Sequence, residues 1–199
     1  MDPAISHPDS LSNLFLHVRV LLGMVVGLGL THLIRHFARA IDRPMRERGY
    51  WVHMVWAISM FVYLLHFWWW EFRLADTVHW TFMLYLAVAL YALLLYLLCA
   101  IIFPDNLEGH TGYEEYFYSR RKWFFSLLAL AYMADLGDTW IKGRQYFDSF
   151  GPELELRCVA YVALCLVAIV TSNRRFHAFF AVASLAYQLS WIVRQFETL

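Results

Sequence analysis

Asp135 and Asp138 stand three residues apart in the stretch from Leu130 to Trp140, two carboxylates inside one of the apolar runs that make up most of this chain. At that spacing they are neighbours on one helix face, with Gly137 between them leaving room for another backbone. An ionisable group at membrane depth costs at least about 2.5 kcal/mol, so it sits in a bundle interior, paired or wet, and marks a functional site by default. The chemistry on offer is a cation or proton site: carboxylates replace part of an ion's hydration shell, and His66 changes charge near neutral pH. Arg19, Glu71, Arg73, Asp76 and His79 fall in the same half of the membrane. The plainer expectation is structural, with Asp138 at the interface and Asp135 held by Arg19 in an ion pair between helices.

The elements that must position these groups follow from composition. The chain is 61% hydrophobic and 16% charged, which is membrane composition and leaves little for a soluble domain. A span needs roughly 20 apolar residues. The runs predict six helices: Leu14 to Ile34 with a polar extension to Ile41, Tyr50 to Phe72, His79 to Phe103, Trp123 to Phe147, Leu154 to Ser172 and Phe176 to Phe196. Residues 1–13 read as a short external tail without a cleavable signal, and 104–122 as a polar cytoplasmic loop able to form a surface helix.

Basic residues divide by side. Arg35, Arg39, Arg43, Arg46, Arg48, Arg120, Arg121, Lys122, Arg174 and Arg175 follow the first, third and fifth helices, against Arg73, Lys142, Arg144, Arg157 and Arg194 on the other side. The positive-inside rule makes the first group cytoplasmic and puts both termini outside, which suits six crossings. Arg35, Arg39, Arg43 and Arg46 form a stripe for anionic lipid headgroups. Eight tryptophans near helix ends, including Trp68, Trp69, Trp70 and Trp191, read as interface anchors. Cys99, Cys158 and Cys165 read as packing thiols.

A weak repeat runs through the return helices. Phe124 to Tyr132 resembles Phe179 to Tyr187, each after an Arg-Arg pair, and setting Tyr63 against Tyr187 brings His53 opposite His177 and Ala57 opposite Ala181. Three residues after each tyrosine come His66, Asp135 and Ser190. Three hairpins would then present Tyr63, Tyr132 and Tyr187, each with a polar neighbour, at similar depth around a pocket or pore in the outer half.

Other chemistries find less footing. No nucleotide loop, zinc signature or catalytic elbow is present, and nothing supports a nucleic-acid role. His17 with His66, and His32 with His53, lie at the depths two axially ligated haem b groups would use. However, helix geometry leaves the first-helix pair about 60° apart and the second about 140° apart. Gly23, Gly27 and Gly29 serve a macrocycle or plain helix packing equally. His32 and His36 have the spacing of two metal ligands but no third nearby.

The sequence therefore implies an all-α, polytopic integral protein of an inner or plasma membrane. It is expected to be one domain over residues 1–199, with the bilayer and further copies or partner subunits as its surroundings. The leading expectation is a small channel or transporter for an ion, proton or small polar solute, with Asp135, Asp138, His66, Glu71 and Arg19 in the pocket and Tyr63, Tyr132, Tyr187 and Ser190 lining it. A membrane-anchor or electron-transfer subunit, haem-bearing or not, and a structural or sensing protein are the alternatives.

Overall fold

The computed structural model describes residues 8–42, 49–76, 80–104, 107 and 109–196. Among them the chain is all helix: α1 (Pro8–Asp42), α2 (Trp51–Trp70) running into a 3-10 turn (Glu71–Asp76), α3 (Phe82–Ile102), α4 (Tyr113–Ile141), α5 (Arg144–Ser149), α6 (Pro152–Val170) and α7 (Arg174–Phe196). Four of these helices, α1, α2, α3 and α7, are long and apolar enough to cross a membrane. Arg43 and Arg46 of the basic stripe, and His79, lie outside the described residues; Arg35 and Arg39 are exposed on α1.

Local chemistry sets the element ends. Thr81 caps α3 by accepting from the Leu84 amide at 3.2 Å. Asn173 caps α7 by accepting from the Arg175 and Phe176 amides. Pro152 opens α6 directly after Gly151, whose φ of 58° most side chains avoid.

The expected loop at 104–122 is shorter than its polarity suggested. Glu115 accepts from the Thr111 amide at 2.7 Å and Tyr116 donates to the Ile101 carbonyl at 2.7 Å, so α4 begins at Tyr113 with Tyr116 and Phe117 buried against the bundle. At its other end α4 stops at Ile141 rather than Phe147. Gly143, at φ 122°, turns the chain into the separate α5.

The helices do not simply pair as hairpins. α4 packs along α6 and α3, α3 along α1, and α7 along α2, whereas the consecutive α6 and α7 meet mainly through side chains such as Tyr161 with Ser184 and Glu153 with Arg194. At Gly23 an added Cβ would stand 2.9 Å from the Trp68 ring, and at Gly29 2.8 Å from Leu64. Close packing of α1 on α2 therefore accounts for these two glycines.

One part of the bundle is a dry aromatic core. Trp56 of α2, Phe125 of α4 and Phe180 of α7 meet with ring centroids 5.4, 5.1 and 5.7 Å apart, in the order Trp56–Phe125, Trp56–Phe180 and Phe125–Phe180. Each lies seven residues before the tyrosine that aligns its helix: Tyr63, Tyr132 and Tyr187. Cys158 and Cys165 are buried between α4, α6 and their neighbours, and Cys99 within α3, all three as free thiols.

Candidate functional site

Seven residues further along those helices the core turns polar. Asp135 accepts from Arg157 Nη2 of α6 at 2.5 Å and from the Tyr91 hydroxyl of α3 at 3.2 Å, and Tyr91 meets the Tyr63 hydroxyl at 3.1 Å. The Arg157 guanidinium lies 4.2 Å from the centre of the Trp191 ring. One turn along α4, Asp138 pairs with Lys142, whose Nζ also donates to Glu71 at 2.9 Å. Lys142 is positioned twice by local geometry: it is four residues from Asp138, and it is the C-cap residue of α4, where a cation also meets the negative end of the helix dipole. Glu71 is brought in because α2 tightens into the 3-10 turn at that residue.

These groups are removed from water. Glu71 is 4% exposed, Asp138 7% and the Lys142 side chain 1%. Glu71 Oε2, Asp138 Oδ1, Arg157 Nε and His66 Nε2 are buried without a hydrogen-bond partner. Glu71 and Asp138 both bond Lys142 Nζ, so their carboxyls converge on one cation. His66 stands over Trp70, with ring centroids 5.0 Å apart, and faces the same small cavity as Asp135. That cavity is about 10 Å³, room for about one water. Beyond Trp70 and Phe150, which form a shared wall, a cavity of about 700 Å³ opens among Arg73, Lys142, Tyr146 and Gln195.

The other expected site residues sort plainly. Tyr63 and Tyr132 come together with ring centroids 5.8 Å apart, and Tyr132 stacks on Tyr161 at 3.9 Å. Tyr187 instead donates to Glu153 of α6 at 3.0 Å beside Arg194, and Ser190 is exposed. Arg19 does not pair with Asp135. It is exposed on α1 with its guanidinium 5.7 Å from the Trp68 ring, and Arg157 takes the role foreseen for it. Gly137 faces open space rather than a close backbone, and Trp191 is buried rather than an interface anchor.

Arg157, Lys142, Tyr91 and Trp191 are the members that sequence spacing missed. Arg157 carried the one available signal, a cation three residues inside an apolar run, the mirror of Asp135.

His17 is exposed, His32 lies within hydrogen-bonding distance of the Phe103 carbonyl, and His53 is enclosed by Phe103 and Tyr113 beside a cavity of about 10 Å³. A cofactor pocket needs about 300 Å³ or more. His36 meets the His32 and Pro104 carbonyls, and among the described residues no three His, Cys, Asp or Glu side chains converge on a common point.

No family model, curated protein or solved structure matches this chain.

Proposed function

We propose that the protein is a small proton-coupled transporter for a polar solute, with the Asp135, Arg157, Glu71, Asp138 and Lys142 network as its proton site. The observation that carries this reading is a charge imbalance: three carboxylates, Glu71 and Asp138 buried and Asp135 half-buried, share two cations, Lys142 and Arg157. An unbalanced charge in a low-dielectric interior costs several kcal/mol, and one proton on the Glu71 and Asp138 pair removes it. That proton would also supply a donor between two carboxyl oxygens that otherwise lack one. His66, facing the cavity with a free nitrogen, is the relay toward Asp135.

In this reading α4 and α6 also cross, for six spans. Their 29 and 19 residues reach about 43 and 28 Å at 1.5 Å per residue, against a core of about 30 Å. The convergence of Trp56, Phe125 and Phe180 at aligned positions supports three repeated hairpins. The distribution of basic residues supports termini on the outer face of an inner or plasma membrane, with Arg35, Arg39, Arg43 and Arg46 on cytoplasmic headgroups. A chain this small is completed by further copies.

A proteoliposome assay with an internal pH dye tests the proposal. Under an imposed gradient, wild-type protein should acidify the lumen, and Asp135→Asn or Glu71→Gln should abolish this while the protein stays folded. Flux that survives both substitutions removes the network from the pathway. A second reading, a membrane-anchor subunit, draws on the groove of about 380 Å³ between α6 and α7, lined by Leu156, Ala160, Leu164 and Phe179. Absence of flux from folded protein would favour it.

A further inference from the structure

The 700 Å³ cavity has a chemistry of its own. Its size falls in the range of about 300–1,000 Å³ typical of small-molecule sites. Three cations line it, Arg73, Lys142 and Arg144, with no carboxylate among the described lining residues, and Trp70, Tyr146 and Phe150 supply aromatic walls. Arg73 has no ion-pair partner among the described residues; its guanidinium stands 5.0 Å from the centre of the Tyr146 ring. Arg144 is 81% exposed and only loosely tied to Asp148, at 3.9 Å. The Tyr146 hydroxyl is buried without a partner. An unpaired guanidinium such as Arg73 beside aromatic rings recognises an anion that carries an apolar body.

We infer that this cavity binds a small amphiphilic carboxylate, held by Arg73 and Lys142 with its apolar part against Trp70, Tyr146 and Phe150, and that Lys142 links its binding to proton uptake. The linkage rests on the proton-coupled reading above. Lys142 lines the cavity and at the same time bridges Glu71 and Asp138. The pair already carries one proton on that reading; when a second from solution neutralises the remaining carboxylate, Lys142 loses its charged partner and turns an N–H toward the incoming anion. One negative and one positive charge enter together, so the buried charge does not change. The ionisable groups around this exchange are Glu71 from the 3-10 turn, Asp135 and Asp138 from α4, Arg157 from α6, His66 from α2 and Tyr146 from α5.

The test is calorimetric titration of benzoate, and of benzamide as its neutral isostere, into the purified full chain near neutral pH, repeated in buffers of different ionisation enthalpy. Benzoate should bind at least about tenfold more tightly than benzamide, the contribution of one charge-assisted hydrogen bond. Arg73→Gln should remove the preference, Arg73→Lys should retain part of it, and the buffer series should show a proton taken up. Equal binding of the two probes overturns the site. So does a benzoate preference that persists in both Arg73→Gln and the exposed Arg144→Gln. A preserved preference without proton uptake overturns the Lys142 linkage while leaving the anion site standing, so the two failures are distinguishable.

Discussion

The two ends of this bundle solve the problem of filling an interior in opposite ways. Around Trp56, Phe124, Phe125 and Phe180 the helices meet through rings alone, edge to face or stacked. Around Asp135 and Asp138, α4 meets α6 and the turn that ends α2 through charges drawn largely out of water. The aromatic end gains stability directly from burial and dispersion. The charged end does not, because an ion pair taken out of water roughly repays its own desolvation, and an apolar replacement is often as stable or more so. A region that contributes little net stability yet carries five ionisable groups points to use rather than scaffolding.

The contrast can be broken most sharply at Arg157. Arg157→Ala leaves Asp135 buried and uncompensated and should cost about 3–5 kcal/mol, read as a lower unfolding midpoint in detergent. The pair Asp135→Leu with Arg157→Met should recover most of that stability while leaving the protein unable to move protons. If the double variant were as unstable as the single one, the pair would be a structural requirement.

At the aromatic end, Phe180→Leu should cost about 1 kcal/mol and leave proton flux intact, since it changes packing without touching a charge. Loss of flux at full folding would show that the two ends are not separable.

The smallest effect lies outside both, at Glu115. The amide and hydroxyl of Thr111 hold its carboxyl below the usual value of 4.5. A carboxyl depressed in the folded state adds stability that is complete above its ordinary value and fades as the pH falls through the folded one. The stability difference between wild type and Glu115→Gln should therefore be visible near neutral pH and vanish in acid. A difference that persisted in acid would locate the effect elsewhere than in the ionised carboxylate.

Much of this was legible from the residues. Asp135 stood out because a charge in an apolar run has few ways to be accommodated, and Tyr63 and Tyr132 meet because a three-residue offset preserves helix face. Partner choice was not legible. Asp135 and Arg157 lie 22 residues apart on different helices, and which cation reaches a carboxylate depends on how helices rotate against one another, which no local pattern encodes. Arg19 failed as a partner because α1 turns that face away from the bundle. Glu71 was expected in the pocket, but Lys142 counted only as a basic residue of the outer side because it sits at a helix end, and a helix end becomes interior only when a neighbour such as α5 covers it. Trp191 was misread for a related reason: an indole near a helix end suits a headgroup belt or a cation beneath it, and only packing decides.

On the proposed function, the buried network holds one proton when the protein is at neutral pH. Infrared spectroscopy of the purified protein reads this directly through the C=O stretch of a protonated carboxyl. The wild type should show such a band at neutral pH. It should be lost in Glu71→Gln and in Asp138→Asn, each of which removes the surplus carboxylate, and kept in Glu115→Gln. A wild-type spectrum with every carboxyl ionised at neutral pH would contradict the claim.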